Sequence, residues 1–332
     1  MILTKGNIEM SMLEIRNLNV IYKVKGKEIK AVNNFNIDID EEDSIGIVGE
    51  SGSGKSTLAM AMLKLLPEKV SEVEGSISYK GIDLLELGAE EFKKIRWKDI
   101  SIVFQKSMNS LSPVHKIGNQ IIDVYKVHSP KAKDKEIRKR IIELFKLVNL
   151  SEDVLNYYPH ELSGGMMQRV SIALALINYP KLLIMDESTT ALDAITQSQI
   201  LNEIMKLEES LKLTRIMITH DLSVVCSTCK KIAVMYAGYL LEEGYVKEVL
   251  EDPKHPYTEE LLNSYPSLDV DKETLTSIKG SLPDLSIVHK GCIFADRCRK
   301  AQSICFMNNP KMICLSGGRR VACHLIGGIE NE

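Results

Sequence analysis

An α/β fold, in which a parallel sheet is covered by helices on both sides, is the fold class that this sequence predicts. Two observations predict it. Short apolar runs alternate with longer amphipathic segments, which is typical of strands joined by crossover helices. A glycine-rich motif of the kind that binds phosphate also lies directly between an apolar run and a helical pattern.

Five apolar runs of four or five residues are the candidate strands of the parallel sheet. They are Ser44–Val48, Ser101–Phe104, Leu182–Met185, Arg215–Thr219 and Lys231–Met235. Their nearly continuous apolar character predicts burial on both faces. Near the amino terminus, apolar residues alternate with polar ones at positions 13–15 and 37–39, which predicts a smaller antiparallel sheet.

A change of composition marks a boundary near Leu250. Five of the seven cysteines and five of the ten prolines follow Asp252. We therefore expect a main domain over residues 1–250 and a small, loop-rich C-terminal domain over residues 251–332.

Composition and charge exclude several classes of protein. With 44 % hydrophobic and 26 % charged side chains, the 332-residue chain is neither mostly disordered nor fibrous. Its 42 basic and 45 acidic residues argue against a protein that binds nucleic acid over its whole surface. No run of 18 apolar residues and no secretory signal is visible, so the sequence predicts a cytoplasmic protein without a membrane span. Its cysteines are then expected as reduced thiols or metal ligands.

The most specific motif is a phosphate-binding loop with the pattern G-x-x-x-x-G-K-S. Its residues, with the threonine that follows them, are Gly49, Glu50, Ser51, Gly52, Ser53, Gly54, Lys55, Ser56 and Thr57. Backbone N–H groups of such a loop converge on phosphate oxygens, and the following helix adds a favourable dipole. Lys55 is predicted to reach the β- and γ-phosphates of a nucleotide, and the Ser56 hydroxyl to bind Mg²⁺.

A pair of carboxylates follows the third of these apolar runs. Asp186, at the end of the run, is predicted to hold Mg²⁺ directly or through water. Glu187, the next residue, is predicted to orient and deprotonate an attacking water. Such a pair is common on protein surfaces, but together with a phosphate-binding loop it favours nucleotide hydrolysis.

Together with several shorter motifs, these features resemble the ATP-binding subunits of ABC transporters. The counterparts are Tyr22 (the aromatic that stacks on adenine), Gln105 (the Q-loop), Ser163, Gly164 and Gly165 in the signature motif Leu162–Gln168, Asp193 in the D-loop Ala191–Asp193, and His220 (the switch histidine). The resemblance implies an ABC cassette with a RecA-like parallel core, an antiparallel β subdomain and a helical subdomain at about residues 106–165. It implies that ATP and Mg²⁺ bind here, that Gln105 is also a Mg²⁺ ligand, and that Gln105 and His220 act with Glu187 in catalysis.

The resemblance also implies partners and a location. Two cassettes of this family pair head to tail, so that the signature motif of one contacts ATP held by the loop of the other. The implied partners are a second ATPase subunit, a paralogue rather than a second copy, two membrane permease subunits and an extracytoplasmic substrate-binding protein, with no nucleic acid. The chain would then lie peripherally on the cytoplasmic face of the cell membrane.

A narrower resemblance is to the dipeptide and oligopeptide importer group. It rests on Gln105–Pro113, His255–Thr258 and Gly291–Cys323. It implies uptake of di- or oligopeptides, with oligosaccharides or nickel as alternative cargoes. A soluble ABC ATPase that acts on nucleic acid is a further alternative, although such proteins usually have two cassettes in one chain or a long coiled-coil insertion, and this chain has neither.

Four cysteines near the C-terminus have the spacing C-x₅-C-x₆-C-x₁₇-C. They are Cys292, Cys298, Cys305 and Cys323, and Cys314 lies inside the last gap. Four thiolates suit zinc or an iron–sulfur cluster, and thiols without metal are the third alternative. Importers of this group with this spacing carry a [4Fe–4S] cluster, so the resemblance favours that cluster over zinc. It also favours Cys323 over Cys314 as the fourth ligand.

Overall fold

The structure, a computed structural model, describes residues 11–104, 111–188, 193–264 and 278–326. Its strands are β1 (Leu13–Val24), β2 (Lys27–Ile39), β3 (Ser44–Val48), β4 (Ser71–Tyr79), β5 (Ile82–Asp83), β6 (Ile100–Val103), β7 (Leu182–Asp186), β8 (Thr214–Ile218), β9 (Lys231–Tyr236), β10 (Tyr239–Tyr245), β11 (Ile313–Cys314) and β12 (Arg320–Val321). Its helices are α1 (Lys55–Met62), α2 (Ala89–Ile95), α3 (Ile117–His128), α4 (Asp134–Leu147), α5 (Gly164–Leu176), α6 (Ala194–Leu211), α7 (Leu222–Thr228), α8 (Val246–Glu251), α9 (Pro256–Asn263) and α10 (Ser303–Met307).

The main sheet has the strand order β11-β12-β10-β9-β3-β8-β7-β6. Strands β6, β7, β8, β3 and β9 run parallel, and the remaining pairs are antiparallel. All five strands predicted from apolar runs are confirmed, with bounds that differ by at most one residue. Every residue of β3, β7 and β8 is buried, which explains why these runs carry almost no polar alternation.

The predicted antiparallel sheet at the amino terminus is also confirmed. Its strand order is β2-β1-β4-β5. Leu13 pairs with Ile39 and Ile15 with Ile37, so the alternating apolar residues of the two strands lie opposite one another. All four side chains are buried, which places the apolar face of this sheet in the core.

A helical region follows β6 in the chain and forms a second core. Ile121 from α3 and Ile141, Leu144 and Phe145 from α4 are buried in it together with residues of α5. Helix α4 has the amphipathic pattern that the sequence predicted, since its polar residues are mostly exposed. Arg140 is an exception, because its guanidinium is buried and lies 3.6 Å from the ring centre of Tyr179.

The C-terminal residues add to the main sheet instead of forming a separate layer. Strand β12 pairs with β10, and Glu242 lies opposite Val321 in this pair. Phe294 packs edge-on against both Tyr236 and Tyr257, with ring centres 5.2 Å apart in each case. In the described ranges, no helix is long and apolar enough to cross a membrane.

Candidate nucleotide-binding site

The phosphate-binding loop connects β3 to α1 and is tightly packed. Gly49 and Gly54 have φ angles of 152° and 98°, a region that favours glycine. A Cβ atom on Gly49 would lie 2.0 Å from the carbonyl oxygen of Met235, and one on Gly54 would lie 2.1 Å from that of Ala31. These positions therefore require glycine, and the loop is held in its turn by two neighbouring backbone segments.

Lys55 is buried beneath this loop, and its ammonium group is held by the loop itself. Its Nζ donates hydrogen bonds to the carbonyl oxygens of Gly49 (2.7 Å) and Glu50 (2.8 Å) and lies 3.2 Å from Ser53 Oγ. Burial lowers the pKa of Lys55, and nearby carboxylates oppose that shift. The lysine is therefore positioned at the first helical turn by groups of the loop itself.

Ser56 and Asp186 bring two oxygen ligands together beside the loop. The Ser56 hydroxyl donates to Asp186 Oδ1 at 2.9 Å, and Asp186 is the last residue of β7. Burial raises the pKa of Asp186, while the hydrogen bond from Ser56 opposes the shift. A hydroxyl and a carboxylate are ligands that Mg²⁺ prefers, so this pair fits the ion that the sequence predicted.

Glu187 and His220 lie together where β7 and β8 end. Glu187 Oε1 is 3.4 Å from His220 Nδ1, and the Glu187 backbone N–H donates to the Ile218 carbonyl at 2.8 Å. The Glu187 side chain is 15 % exposed and that of His220 is 53 % exposed. The carboxyl edge of the parallel sheet therefore brings the two predicted catalytic residues together next to Asp186.

The signature and D-loop residues lie at two adjacent helix starts. Ser163 Oγ accepts the Met166 N–H at 3.3 Å and caps α5, and Asp193 Oδ1 accepts the Thr196 N–H at 3.0 Å and caps α6. A Cβ on Gly165 would lie 2.9 Å from Thr196 Cγ2, so the two helix starts are in contact. In the described part of the chain, the hydrogen bonds of Ser163 stay within its own helix start and do not reach the phosphate loop.

The remaining predicted site residues have different outcomes. The Tyr22 hydroxyl lies 3.4 Å from Thr57 Oγ1, which places this aromatic side chain beside the loop. Gln105 lies outside the described residues, as do Ala191 and Leu192 of the D-loop motif. The roles of these residues therefore stay predictions.

Comparisons with known proteins agree with this geometry. The chain is 41 % identical over 315 residues to the dipeptide transport ATP-binding protein DppD of Caldanaerobacter subterraneus subsp. tengcongensis, a match that covers 95 % of this chain and 97 % of that protein. It is 42 % identical over 319 residues to the oligopeptide transport ATP-binding protein OppD of Bacillus subtilis, covering 95 % and 89 %. This chain belongs to the ABC transporter family. Residues 32–190 match the family described as ABC transporter, and residues 241–305 match the oligopeptide/dipeptide transporter C-terminal region.

Solved ABC cassettes have the same fold. The dimeric structure of a bacterial ABC transporter cassette, MJ0796, matches with a TM-score of 0.64 and 32 % identity, covering 71 % of this chain and 99 % of that chain. The cbiO1 protein of Clostridium perfringens, part of the ABC transporter complex cbiONQ, matches with a TM-score of 0.64 and 28 % identity, covering 74 % and 92 %. A second MJ0796 structure is described as a post-hydrolysis state bound to ADP and Pi. The fold is therefore that of an ATP-hydrolysing cassette.

The next feature is the set of cysteines in residues 278–326, which we call the C-terminal module. Cysteines that are separated in sequence lie near one another there. The Cys292 N–H donates to the Cys305 carbonyl at 2.7 Å. Burial raises the pKa of Cys292 to about 11, and the neighbouring thiols of Cys305, Cys323 and Cys298 add to the shift. Cys314 is exposed and lies near Arg320. The structure thus brings the four predicted cysteines into electrostatic range of one another.

No compact ion site is present at these cysteines. Across the four described ranges, no group of three or more histidine, cysteine, aspartate or glutamate side chains is arranged to hold a metal ion. A tetrahedral zinc site needs its four thiolates packed around one atom at about 2.3 Å. The described residues therefore show no formed site for either metal, the iron–sulfur cluster that the resemblance favours or the zinc alternative.

Sequence reasoning missed two residues that contact the phosphate loop. Arg297 Nη1 lies 3.0 Å from Glu50 Oε1, and the Tyr257 hydroxyl accepts the Glu50 N–H at 3.1 Å. More than 200 residues separate each contact in sequence, so no local spacing indicates them. Both residues lie inside the C-terminal motifs His255–Thr258 and Gly291–Cys323, but the resemblance of these motifs gave them no role at the nucleotide site.

Proposed function

We propose that this chain is the ATP-hydrolysing subunit of an ABC importer that takes up dipeptides or oligopeptides. The observation that carries the proposal is the joint presence of the Lys55–Ser56–Asp186–Glu187 site and a C-terminal region that matches the oligopeptide/dipeptide transporters. The relatives described as peptide transport ATP-binding proteins support the same cargo class. Oligosaccharides and nickel are the alternative cargoes.

Hydrolysis follows from the order of groups along the sheet edge. Lys55 and the loop N–H groups bind the β- and γ-phosphates and offset their charge. Glu187 accepts a proton from a water whose oxygen attacks the γ-phosphorus, and the bond from that phosphorus to the β–γ bridging oxygen breaks. His220 Nδ1 lies 3.4 Å from Glu187 Oε1 and helps to hold the carboxylate in place, and the family resemblance gives it the role of a donor to the γ-phosphate. Ser56 and Asp186 would hold Mg²⁺, together with Gln105 as the family resemblance implies, and the bound ion would offset negative charge on the phosphates.

The proposed complex contains a second cassette subunit. Ser163, Gly164 and Gly165 form the start of α5, where free backbone N–H groups and the helix dipole favour an anion. The family resemblance implies that this helix start contacts ATP held by the loop of a second cassette, and in the described part of the chain Ser163 bonds only within its own helix start. A paralogue is the proposed partner, with Asp193 at the junction between the two subunits.

The proposed membrane partners are two permease subunits supplied by an extracytoplasmic binding protein. A cavity of about 340 Å³ lies between the edge of the main sheet and helices α3 and α5. Trp97, Phe104, Val124, Val127 and Leu174 line it, and Val127 is 58 % exposed. Phe104 directly precedes Gln105 in the chain, so a permease helix seated in this cavity would contact the residue next to the predicted Q-loop glutamine. The chain is then peripheral, on the cytoplasmic face of the membrane.

The C-terminal module is proposed to hold a [4Fe–4S] cluster through Cys292, Cys298, Cys305 and Cys323. Each iron of such a cluster takes one thiolate, so the four thiols lie further apart than around a single ion. The four thiols lie close enough to raise one another's pKa values, and the family resemblance of this segment favours the cluster over zinc. A cluster there would also join segments of the module that otherwise lack a large apolar core.

Reconstitution of the importer tests the cargo. The chain, its paralogue and the permease pair encoded with it are placed in liposomes with the binding protein, and ATP hydrolysis is followed with added ligands. We expect di- or oligopeptides to stimulate hydrolysis, and maltooligosaccharides and Ni²⁺ to leave it at the basal rate. The complex with Glu187→Gln is the matched control. Stimulation by a sugar or by nickel alone would contradict the peptide proposal, and salt-sensitive DNA or RNA binding would favour the nucleic-acid alternative.

A further inference from the structure

Glu50 of the phosphate loop is contacted by residues from three places: Arg297 of the C-terminal module, Tyr257 of α9 and Lys55 at the end of the loop. Arg297 Nη1 lies 3.0 and 3.1 Å from the two carboxylate oxygens of Glu50. The hydroxyl of Tyr257, from α9, accepts a hydrogen bond from the Glu50 backbone N–H. Glu50's carbonyl oxygen accepts a hydrogen bond from Lys55 Nζ at 2.8 Å. Glu50 therefore links the C-terminal part of the chain to the lysine that binds phosphate.

Arg297 is itself fixed on several sides. Its Nη1 lies 3.0 Å from the Tyr236 hydroxyl, and its Nε donates to the Lys279 carbonyl at 2.9 Å. The side chain is 7 % exposed, so its position is not that of a mobile surface arginine. A planar guanidinium that makes several hydrogen bonds at once transmits a defined geometry, which a lysine at this position does not do.

A second contact supports the same part of the loop. A Cβ atom on Gly52 would lie 3.3 Å from Leu282 Cδ1, so a segment of the module packs directly behind the loop. Arg297 closes a short turn, Ala295–Arg297, and the next residue is Cys298. The Cys298 N–H donates to the Phe294 carbonyl at 3.0 Å, which fixes this turn against the aromatic cluster.

We propose that Arg297 is a positioning residue for ATP: through Glu50, it fixes the loop backbone that orients Lys55. The ordered turn, the buried guanidinium and the hydrogen bonds of Glu50 form one continuous path from the C-terminal module to the phosphate site. The inference rests on the ATP-binding function proposed above, and it does not depend on which metal the cysteines hold.

A purely electrostatic effect makes different predictions from a positioning effect. If only charge matters, removing Arg297 leaves a carboxylate near the phosphates and weakens ATP binding, whereas removing the Glu50 charge strengthens it. If position matters, loss of either partner releases the loop and weakens binding. Removing both charges together restores binding in the first case and leaves it weak in the second.

The experiment measures the Kd of a fluorescent ATP analogue, KM and kcat for ATP, and thermal unfolding. The variants are Arg297→Gln, Glu50→Gln and the double variant. Arg299→Gln is the matched control, since Arg299 lies two residues away, is 60 % exposed and pairs with Glu260 instead of the loop. We expect each single change to raise the Kd and KM about fivefold or more, with kcat at saturating ATP within about twofold of wild type. The double variant should be no weaker than the worse single variant, and Arg299→Gln should bind ATP as wild type does.

Two results would overturn the proposal. If Glu50→Gln binds ATP more tightly and the double variant returns to wild type, the contact acts by charge alone. If Arg297→Gln, Glu50→Gln and the double variant all bind ATP as wild type does, Arg297 only attaches the C-terminal module to the cassette and does not position the loop. Should Arg297→Gln unfold, Arg297→Lys and Glu50→Gln still test the contact. A wild-type chain that binds no ATP would refute the proposed function itself, which is a different outcome.

Discussion

The phosphate loop and the C-terminal module are held together in opposite ways. The loop is stabilised largely from within, because Lys55 donates to the carbonyls of Gly49 and Glu50 and the Ser53 N–H donates to the Glu50 carbonyl. The module has little internal secondary structure and is attached to the cassette by long-range contacts such as Arg319–Glu242. Hydrogen bonds between residues near in sequence thus hold the phosphate loop, whereas contacts between residues far apart in sequence hold the module to the cassette.

The largest expected effect is a loss of ATP hydrolysis when the predicted general base beside the phosphate loop is replaced. Glu187→Gln keeps the side chain's shape and removes the general base, so kcat for ATP hydrolysis should fall by about 10²- to 10⁴-fold. ATP binding should be retained, since Lys55 and the loop are unchanged. Single-turnover hydrolysis and nucleotide binding measure the two effects separately. An unchanged kcat would show that Glu187 is not the base.

The next effect concerns how the module is attached. Glu242 is fully buried, pairs with Arg319, and accepts the backbone N–H groups of Lys254 (2.9 Å) and His255 (3.0 Å). Arg319→Met leaves that carboxylate buried without its ion pair, so the free energy of unfolding should fall by about 3–5 kcal/mol. Denaturant titration measures the loss.

Arg299→Met is the control for that substitution. Because the Arg299 side chain is 60 % exposed and lies 3.7 Å from Glu260, loss of this pair should cost about 1 kcal/mol or less. Equal losses in the two variants would mean that the buried pair does not hold the module to the cassette.

A smaller effect is the pH dependence of stability that His255, at the start of α9, contributes. His255 is buried, and its Nδ1 accepts the Tyr257 N–H at 3.0 Å, so burial lowers the pKa of His255 to about 3. The unfolded chain takes up a proton near pH 6.5 and the folded chain does not, so stability that is present above pH 6.5 is lost as pH falls towards 3.

His255→Asn keeps an acceptor at this helix cap and removes the titration. Between pH 6.5 and 5, the wild type should lose up to about 1.4 kcal/mol of unfolding free energy per pH unit more than the variant does. Unfolding titrations across that range measure the difference. Parallel pH dependences of the two proteins would contradict the assignment.

The sequence predicted the cassette well because its signals are local. Strand β7 was identified from one apolar run, Leu182–Met185. Asp186 and Glu187 were identified as the two carboxylates that come directly after that run. The C-terminal part was less predictable. Composition indicated a boundary near Leu250, yet β12 pairs with β10 across it. Nothing in the spacing of Arg297 indicated that it reaches Glu50, because that contact is set by how the aromatic cluster packs and not by neighbouring residues.

The central claim is that the C-terminal module, with its cluster, positions the phosphate loop for ATP. Its most direct test is the affinity for ATP with and without metal in the module. Protein purified without oxygen is analysed for iron and acid-labile sulfide, and the Kd for ATP is measured before and after the iron is removed by chelation. We expect about four irons per chain, and ATP binding weaker by about fivefold or more once they are lost, because Cys298 directly follows the turn that holds Arg297. Unchanged affinity after iron loss would contradict the proposed link between the cluster and the phosphate loop, and a chain that contains no iron when purified would contradict the proposed cluster.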